Sequence, residues 1–275
     1  MILKLFKNNR FLWILLIVFF ITCKPGQNKM IDKQTETNQI SFTVVFDNVS
    51  YSADLKTEWG YSCLIQTDTD TLLFDTGSNG KVLLENMAKL QIDPHSIKTI
   101  VISHSHWDHL GGLANFLEVN SDVTLYIPNS FDKKIEKDIV QAGAKVIRVD
   151  SFCKITGGIY SLGELGGKIP EQSLAVHTVK GIAIITGCAH PGIVNIVKHT
   201  RFIFSEEPMY LLMGGFHLKN NSEEEMKRTV KTIHELDVKY VAPSHCTGEK
   251  AIDIFKQIFG HEYIKSGVGK VIEIN

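Results

Sequence analysis

The sequence contains no long run of basic residues, and its formal net charge is only −1 over 275 residues. Proteins that bind nucleic acid typically carry a basic patch, so this balance favours a small-molecule partner and argues against nucleic acid. The G-x-S-x-G pattern of serine hydrolases is absent, so a covalent serine mechanism has no support. The five cysteines form no C-x-x-C pair, and no disulfide can be assigned from their positions.

The sequence also lacks an apolar run of the length that spans a bilayer comfortably, which is about 20 residues. Residues 11–22 form a twelve-residue apolar run that follows three basic residues and no acidic one. This is the pattern of a secretory signal peptide. We therefore expect residues 1–22 to be a signal peptide and the protein to be exported to the periplasm or cell surface.

Cys23 directly follows the apolar run and precedes a polar linker, residues 23–39. This arrangement resembles a bacterial lipoprotein signal in which Cys23 is lipidated. Membrane contact would then be limited to this segment or its lipid; ordinary cleavage and an uncleaved anchor are the alternatives. Without residues 1–22 the formal charge becomes 26 − 30 = −4, so the exported domain is mildly acidic.

Residues 40–275 predict one α/β domain, since short strands are followed by alternating strands and helices. Ser78 is the predicted N-cap of a helix over residues 81–90, and Thr247 that of the last helix. Ser222 and Glu225 predict a capping box. Residues 156–170 are glycine-rich and carry no strand prediction.

The chain is organised around residues 98–112, KTIVISHSHWDHLGG, where an apolar strand leads into His104, His106, Asp108 and His109. Residues i and i+2 of an extended segment point the same way, so His104 and His106 can bind one cation. The turning chain would direct Asp108 and His109 towards a second cation. Imidazole and carboxylate suit zinc best, with iron or manganese as alternatives. The spacing predicts two divalent metal ions.

Three further histidines, His190, His217 and His245, each follow an apolar strand and precede a helix. Because the carboxyl ends of parallel strands meet at one edge of a sheet, we expect these residues to share a site with the His104 motif. Asp75 closes another strand in an Asp-Thr-Gly turn. It either forms that turn or accepts a hydrogen bond from the outer nitrogen of a ligand imidazole.

The H-x-H-x-D-H motif, together with GCAHPGIVNI, GGFHL, PEQSL and HCTG, resembles the metallo-β-lactamase superfamily over roughly residues 41–260. The nearer resemblance is to its branch of dihydropterin-type β-ribofuranosylaminobenzene 5′-phosphate synthases. The resemblance implies a four-layer αβ/βα sandwich. It also implies the two ligand sets, which are His104, His106 and His190 for one ion and Asp108, His109 and His245 for the other.

By the same resemblance, His217 stands where most of the superfamily has an Asp that bridges the ions. A neutral imidazole cannot bridge, so His217 either binds one ion or faces the substrate. Two divalent ions bring about +4, and Asp108 with a hydroxide brings about −2, so the site would hold about +2. This charge predicts an anionic substrate and a bound water with a pKa of about 7 or below.

Other side chains near the motifs are weaker candidates for the metal site. Cys188 and Cys246 could be thiolate ligands, although nitrogen and carboxylate candidates already suffice. Trp107 and Phe216 adjoin predicted ligands and either wall a pocket or belong to the core. The remaining histidines have no partners in sequence and are expected to be surface or structural residues: His95, His177, His199, His234 and His261.

These features favour a metal-dependent hydrolase, in which metal-activated water attacks a carbonyl or phosphoryl centre of a small anionic ester, phosphoester or lactone. Asp108 and His217 are the predicted catalytic residues, and Asp108 would orient the nucleophile or relay its proton. One alternative is a pterin-related synthase or lyase, against which predicted export argues. Another is a non-catalytic metal or ligand sensor at the cell surface. The oligomeric state is not predicted.

Overall fold

The structure is a computed structural model that describes residues 39–275. The predicted signal peptide, the lipidation of Cys23 and nearly all of the predicted linker therefore lie outside the described residues. Within residues 39–275, none of the helices combines the length and the apolar character needed to cross a membrane.

Strands and helices alternate much as the sequence predicts. The strands are β1 (Ile40–Asp47), β2 (Tyr61–Thr67), β3 (Thr71–Phe74), β4 (Thr99–Val101), β5 (Thr124–Pro128), β6 (Lys145–Val149), β7 (Ser151–Thr156), β8 (Ile159–Leu165), β9 (Glu171–Thr178), β10 (Gly181–Thr186), β11 (Met209–Gly215), β12 (Val238–Ser244) and β13 (Val271–Ile274). The helices are α1 (Gly80–Lys89), α2 (Trp107–Leu110), α3 (Leu113–Val119), α4 (Lys133–Gln141), α5 (Ile193–Ile203), α6 (Glu223–Glu235) and α7 (Glu249–Phe259).

The strands form two sheets. One runs in the order β13-β1-β2-β3-β4-β5-β6 and the other in the order β12-β11-β10-β9-β8-β7. The pairs from β3 to β6 are parallel, as are those from β10 to β12. Parallel neighbours need crossover connections, and helices supply them here. The remaining pairs are antiparallel.

Apolar residues fill three interfaces. The inner faces of the two sheets pack together through residues such as Phe42, Phe74 and Met213. The outer face of the first sheet packs on α1, α3 and α4, for example through Phe116. That of the second sheet packs on α5, α6 and α7, for example through Phe255. Helix, sheet, sheet and helix make the predicted four-layer αβ/βα sandwich, which is confirmed.

The register of the second sheet sets the ends of three strands side by side. Thr186 of β10 is level with Gly214 of β11, and Gly215 is level with Ser244 of β12. Gln172 of β9 joins this sheet to the end of β4, because its backbone N–H donates to the Ser103 carbonyl at 2.9 Å. The loops that carry the predicted ligands are thereby brought to one edge.

Local details differ from the sequence predictions in three places. The N-cap of α1 is Asn79, not Ser78, since the Asn79 side chain accepts from the Lys81 amide. The N-cap of α7 is Gly248, not Thr247, whose hydroxyl instead accepts from the Phe216 amide at 3.0 Å. The glycine-rich stretch contains β8, and the capping box of α6 is confirmed.

Candidate metal centre

The His104 motif changes from strand to helix within a few residues. β4 ends at Val101, His104 is fully buried, and His106 is the residue before α2, whose first turn carries Asp108 and His109. The extended part orients the first two histidines, and the helical turn directs the next two side chains elsewhere. The spacing thus yields two groups of donor atoms rather than one.

Donor atoms of distant segments complete these groups. The ligand atoms of each group lie within 4.8 Å of one another. The groups found in residues 39–275 are His104, His106 and His190; Asp108, His109, Cys188 and His245; and Cys188, His190 and His217. We call the first the three-histidine group and the second the four-donor group. The structure brings together all seven predicted metal-site residues.

Asp75 holds two of the imidazoles from behind. Its Oδ2 accepts from His109 Nδ1 at 2.7 Å and from the Ser103 hydroxyl at 2.7 Å, and its Oδ1 accepts from the Ser103 amide. The Ser103 oxygen in turn lies 2.9 Å from His104 Nδ1. These contacts place Nε2 of both rings on the inner side, which is how outer-shell carboxylates orient metal-binding histidines. Asp75 therefore does more than form a turn.

His245 is held in the same way by a different partner. Its Nδ1 lies 2.7 Å from the side-chain oxygen of Asn48 in the loop after β1. The inner Nε2 atoms of His104, His190 and His245 are buried and have no hydrogen-bond partner. Unpaired buried nitrogens cost free energy, and each of these lies among the other donor atoms of its group, an arrangement that fits a bound cation. The donor set therefore fits divalent metal ions, by its chemistry and by its unsatisfied atoms.

The pKa directions agree with this role. Burial, together with the neighbouring imidazoles, lowers the pKa of His104 and lowers that of His190 to about 3. Burial likewise lowers the pKa of His106. These rings are neutral at physiological pH, and only a neutral imidazole offers a lone pair to a metal.

The four-donor group contains charged side chains, unlike the neutral three-histidine group. Burial disfavours the charged form of His109, but attraction and the hydrogen bond to Asp75 more than offset it and raise its pKa to about 9. Burial also disfavours ionised Asp108, yet the neighbouring His245 and His109 imidazoles more than offset this and lower its pKa. Asp108 Oδ2 stands 3.4 Å from His245 Nε2 and 3.7 Å from His109 Nε2. A carboxylate is thus ionised among buried imidazoles.

The backbone is strained at the same place. Four non-glycine residues around the site have a left-handed φ, namely Asp75 (59°), Ala189 (62°), His217 (50°) and His245 (50°). Such conformations cost about 1–3 kcal/mol each and persist where surrounding packing imposes them. The strain is concentrated where strand ends turn sharply to present ligands.

Glu171 fixes the turn that carries Cys188 and His190. Its fully buried carboxylate accepts the backbone N–H groups of residues 188, 189 and 190 at 2.8–2.9 Å. Burial raises its pKa, and these hydrogen bonds act against that rise. The Glu171 carboxylate therefore fixes the conformation of this turn, although it belongs to none of the donor groups found in the described part of the chain. This role was not predicted.

The outer rim of the site is formed by more exposed side chains. His217 is exposed, and its ring lies 4.3 Å from that of His190. The indole N–H of Trp59 donates to Asp108 Oδ2 at 2.9 Å. Lys219 Nζ lies 4.3 Å from the Trp59 ring centre. The rim thus combines an imidazole, an indole and an ammonium group.

Trp107 and Phe216, the aromatic residues next to predicted ligands, lie in different environments. Trp107 is 63% exposed, whereas Phe216 is buried and packs on Phe255 at a ring distance of 5.3 Å. Phe216 is therefore a core residue and does not wall the site. The five other histidines belong to none of the donor groups found in residues 39–275.

Four residues that contact the site were not predicted from the sequence, namely Asn48, Trp59, Ser103 and Glu171. Ser103 had a signal, because it directly precedes His104 at the strand end. Glu171 lies in the PEQSL motif, but nothing local indicated which backbone it would contact. Asn48 lies 197 residues from His245, and Trp59 lies 49 residues from Asp108, so their contacts have no local pattern.

Comparison with known proteins gives a consistent result. The profile of the metallo-beta-lactamase superfamily matches residues 60–191. The chain is 30% identical to 7,8-dihydropterin-6-methyl-4-(beta-D-ribofuranosyl)-aminobenzene-5'-phosphate synthase of Methanocaldococcus jannaschii, over 84% of this chain and 95% of that protein. It is also similar to the crystal structure of Tm1679, a metal-dependent hydrolase of the beta-lactamase superfamily. That match has 30% identity and a TM-score of 0.73 and covers 86% of this chain and 99% of Tm1679.

More distant structures share the fold alone. YhfI from Bacillus subtilis, a metallo-beta-lactamase fold protein, is 17% identical with a TM-score of 0.64 and covers 86% of this chain and 99% of its own. The short form of human tRNase Z is 17% identical with a TM-score of 0.58, and the match covers 84% of this chain and 98% of the tRNase Z chain. The similarity therefore extends over most of the described chain.

Proposed function

Because this chain belongs to the metallo-β-lactamase superfamily, we propose that it is a metal-dependent hydrolase with a dinuclear, zinc-type centre. Its substrate is a small anionic ester, phosphoester or lactone. The observation that carries the proposal is the set of buried, unpartnered Nε2 atoms on His104, His190 and His245, each facing other donors. Divalent cations bound there would polarise the substrate and activate water.

The protein's own groups set up this chemistry. Asp75 and Asn48 hold the outer nitrogens of His109 and His245, so that the inner nitrogens are oriented towards the proposed ions. Asp108 is ionised and hydrogen-bonded to the Trp59 indole, which fixes the direction of its carboxylate. It can then orient the attacking water and hold its proton.

Charge supports an anionic substrate. Within the two donor groups Asp108 is the one carboxylate that the structure describes, so two divalent ions would leave the site clearly positive. Lys219 adds a cation over the Trp59 ring at the rim. His217 is exposed beside His190, and its proposed role is to contact the substrate or a leaving group.

The test is a metal-reconstituted assay on a panel of phosphodiesters, phosphomonoesters and lactones. We expect turnover that is lost in metal-free protein and restored by zinc. His106→Ala and Asp108→Asn should abolish turnover and reduce the bound metal. His95→Ala, which changes an exposed histidine outside the donor groups, is the matched control. Turnover retained by metal-free protein would refute the proposal, and tight metal binding without turnover would favour a sensor.

A second candidate is a pterin-related synthase or lyase. It is favoured by the 30% identity to the Methanocaldococcus jannaschii synthase over 95% of that protein. Its test is to incubate the metal-loaded protein with an aminobenzene ribofuranoside phosphate and a dihydropterin that carries a leaving group on its 6-methyl carbon. The coupled product, formed as the amine displaces that group, is sought by mass spectrometry. Coupling without hydrolysis of the panel would select this candidate.

We also propose that the protein is exported and tethered through Cys23, with membrane contact limited to its amino-terminal segment. The support is the order of basic residues, apolar run and cysteine in the sequence. Labelling of the full chain with a clickable fatty acid should mark wild type and Cys63→Ser but not Cys23→Ser. Label on Cys23→Ser would contradict the tether.

A further inference from the structure

Cys188 lies in two of the three donor groups, together with Asp108, His109 and His245 in one and with His190 and His217 in the other. Its Sγ is 3.1 Å from His109 Nε2, and its side chain is buried. Its backbone amide is held by Glu171 at 2.9 Å. The thiol is therefore placed at the inner end of the site by a turn with a fixed conformation.

The donor spacing is close to that expected for one cation shared by four ligands. Two ligands of a tetrahedral zinc ion, with bonds of about 2.0–2.3 Å, stand about 3.3–3.6 Å apart. The observed separations are 3.4 Å and 3.7 Å from Asp108 Oδ2 to the two histidine nitrogens and 3.1 Å from His109 Nε2 to Cys188 Sγ. A simple hydrogen bond to His109 explains the last distance. It does not explain why a carboxylate and a second imidazole converge on the same point.

We propose that Cys188 binds the cation of the four-donor group as a thiolate and is its fourth protein ligand. The inference rests on the proposed metal centre and adds a ligand to it. As the Sγ–metal bond forms, the thiol proton passes to water, and no oxidant or reductant is involved. Thiolate is a soft ligand and shifts the preference of this position towards zinc and similar ions.

A thiolate here makes the two positions unequal. The four-donor group has a complete tetrahedral set, which is typical of a closed site. The three-histidine group has one donor fewer, and two of its members, His106 and His190, are only half-buried. The substrate is then expected at the three-histidine group. The thiolate also lowers the formal charge of the centre from about +2 to about +1.

Cobalt substitution tests this directly, because thiolate bound to Co²⁺ gives an intense near-ultraviolet charge-transfer absorption that nitrogen and oxygen ligands lack. Wild-type protein loaded with cobalt should show this absorption. Cys188→Ser should lose it, and Cys246→Ser, which changes the neighbouring buried thiol, should keep it. Circular dichroism of each variant checks the fold.

A variant with Cys188 as its single cysteine, in which Cys23, Cys63, Cys153 and Cys246 are serines, gives a second test that leaves Cys188 in place. The absorption should persist in it. Absence of the absorption from cobalt-loaded wild type, its retention in Cys188→Ser or its loss from the single-cysteine variant would overturn the inference. Such failure would leave hydrolysis of the substrate panel untouched, so the two proposals fail separately.

Discussion

Replacing Asp75 by Asn tests whether the buried carboxylate behind the site holds a charged His109 in the metal-free protein. Attraction to Asp75 and the hydrogen bond from Nδ1 outweigh the cost of burial and raise the pKa of His109 from 6.5 to about 9. One pKa unit corresponds to about 1.4 kcal/mol, so the charged pair stabilises the fold by about 3 kcal/mol. Asn keeps the shape and removes the charge.

The sign of the effect follows from the raised pKa. Stabilisation is fully present below pH 6.5, the ordinary pKa of the ring, and is lost as the pH rises through about 9. Asp75→Asn should therefore lower the free energy of unfolding by about 3 kcal/mol near pH 6. The loss should shrink to about 1 kcal/mol, the value of a neutral hydrogen bond, near pH 9.5.

The assay is urea denaturation of chelator-treated protein at both pH values, with the variant always compared with wild type so that other titrations cancel. Ser103→Ala is the matched control. It removes a hydroxyl that contacts Asp75 and His104 but leaves the Asp75–His109 pair, and it should cost about 1–3 kcal/mol equally at both pH values. An Asp75→Asn loss that is the same near pH 6 and pH 9.5 would refute a charged pair. Metal affinity should fall about 10–100-fold in Asp75→Asn, measured by competition with a chelator.

Three further changes probe the surroundings of the site. Glu171→Gln replaces the buried carboxyl group that accepts three backbone amides and should cost about 2–4 kcal/mol in urea denaturation; a loss below about 1 kcal/mol would contradict its role. Trp59→Phe removes the N–H that donates to Asp108 Oδ2 at 2.9 Å. It should lower kcat/KM about tenfold with little change in stability, and unchanged kinetics would contradict a role for this hydrogen bond. Gly187→Ala would place a methyl 2.2 Å from the Ser103 hydroxyl oxygen and should cost about 1–3 kcal/mol and weaken metal binding in calorimetry; wild-type binding would show that the site relaxes.

Much of this site is visible in the sequence because its signals are local. The apolar strand before His104 and the spacing of His104, His106, Asp108 and His109 indicate two groups of donors, since strand and helix periodicities differ. The capping box at Ser222 is equally local. Asn79 and Ser78 are adjacent, and both residue types suit an N-cap. In the structure Asn79 caps α1 and its side chain also donates a hydrogen bond to Glu58.

By itself, the sequence determined the alternation of strands and helices and the identity of the strand-end residues that meet at one edge, because hydrophobic periodicity and ligand chemistry belong to short segments. The four-layer arrangement was implied by the family resemblance of its motifs. Only the tertiary structure decided that Asn48 supports His245, that Glu171 holds the turn of His190 and that Cys188 stands beside His109. Those contacts join segments that are far apart in the chain. Their distances depend on how the two sheets pack, which is set by many apolar side chains together rather than by any motif.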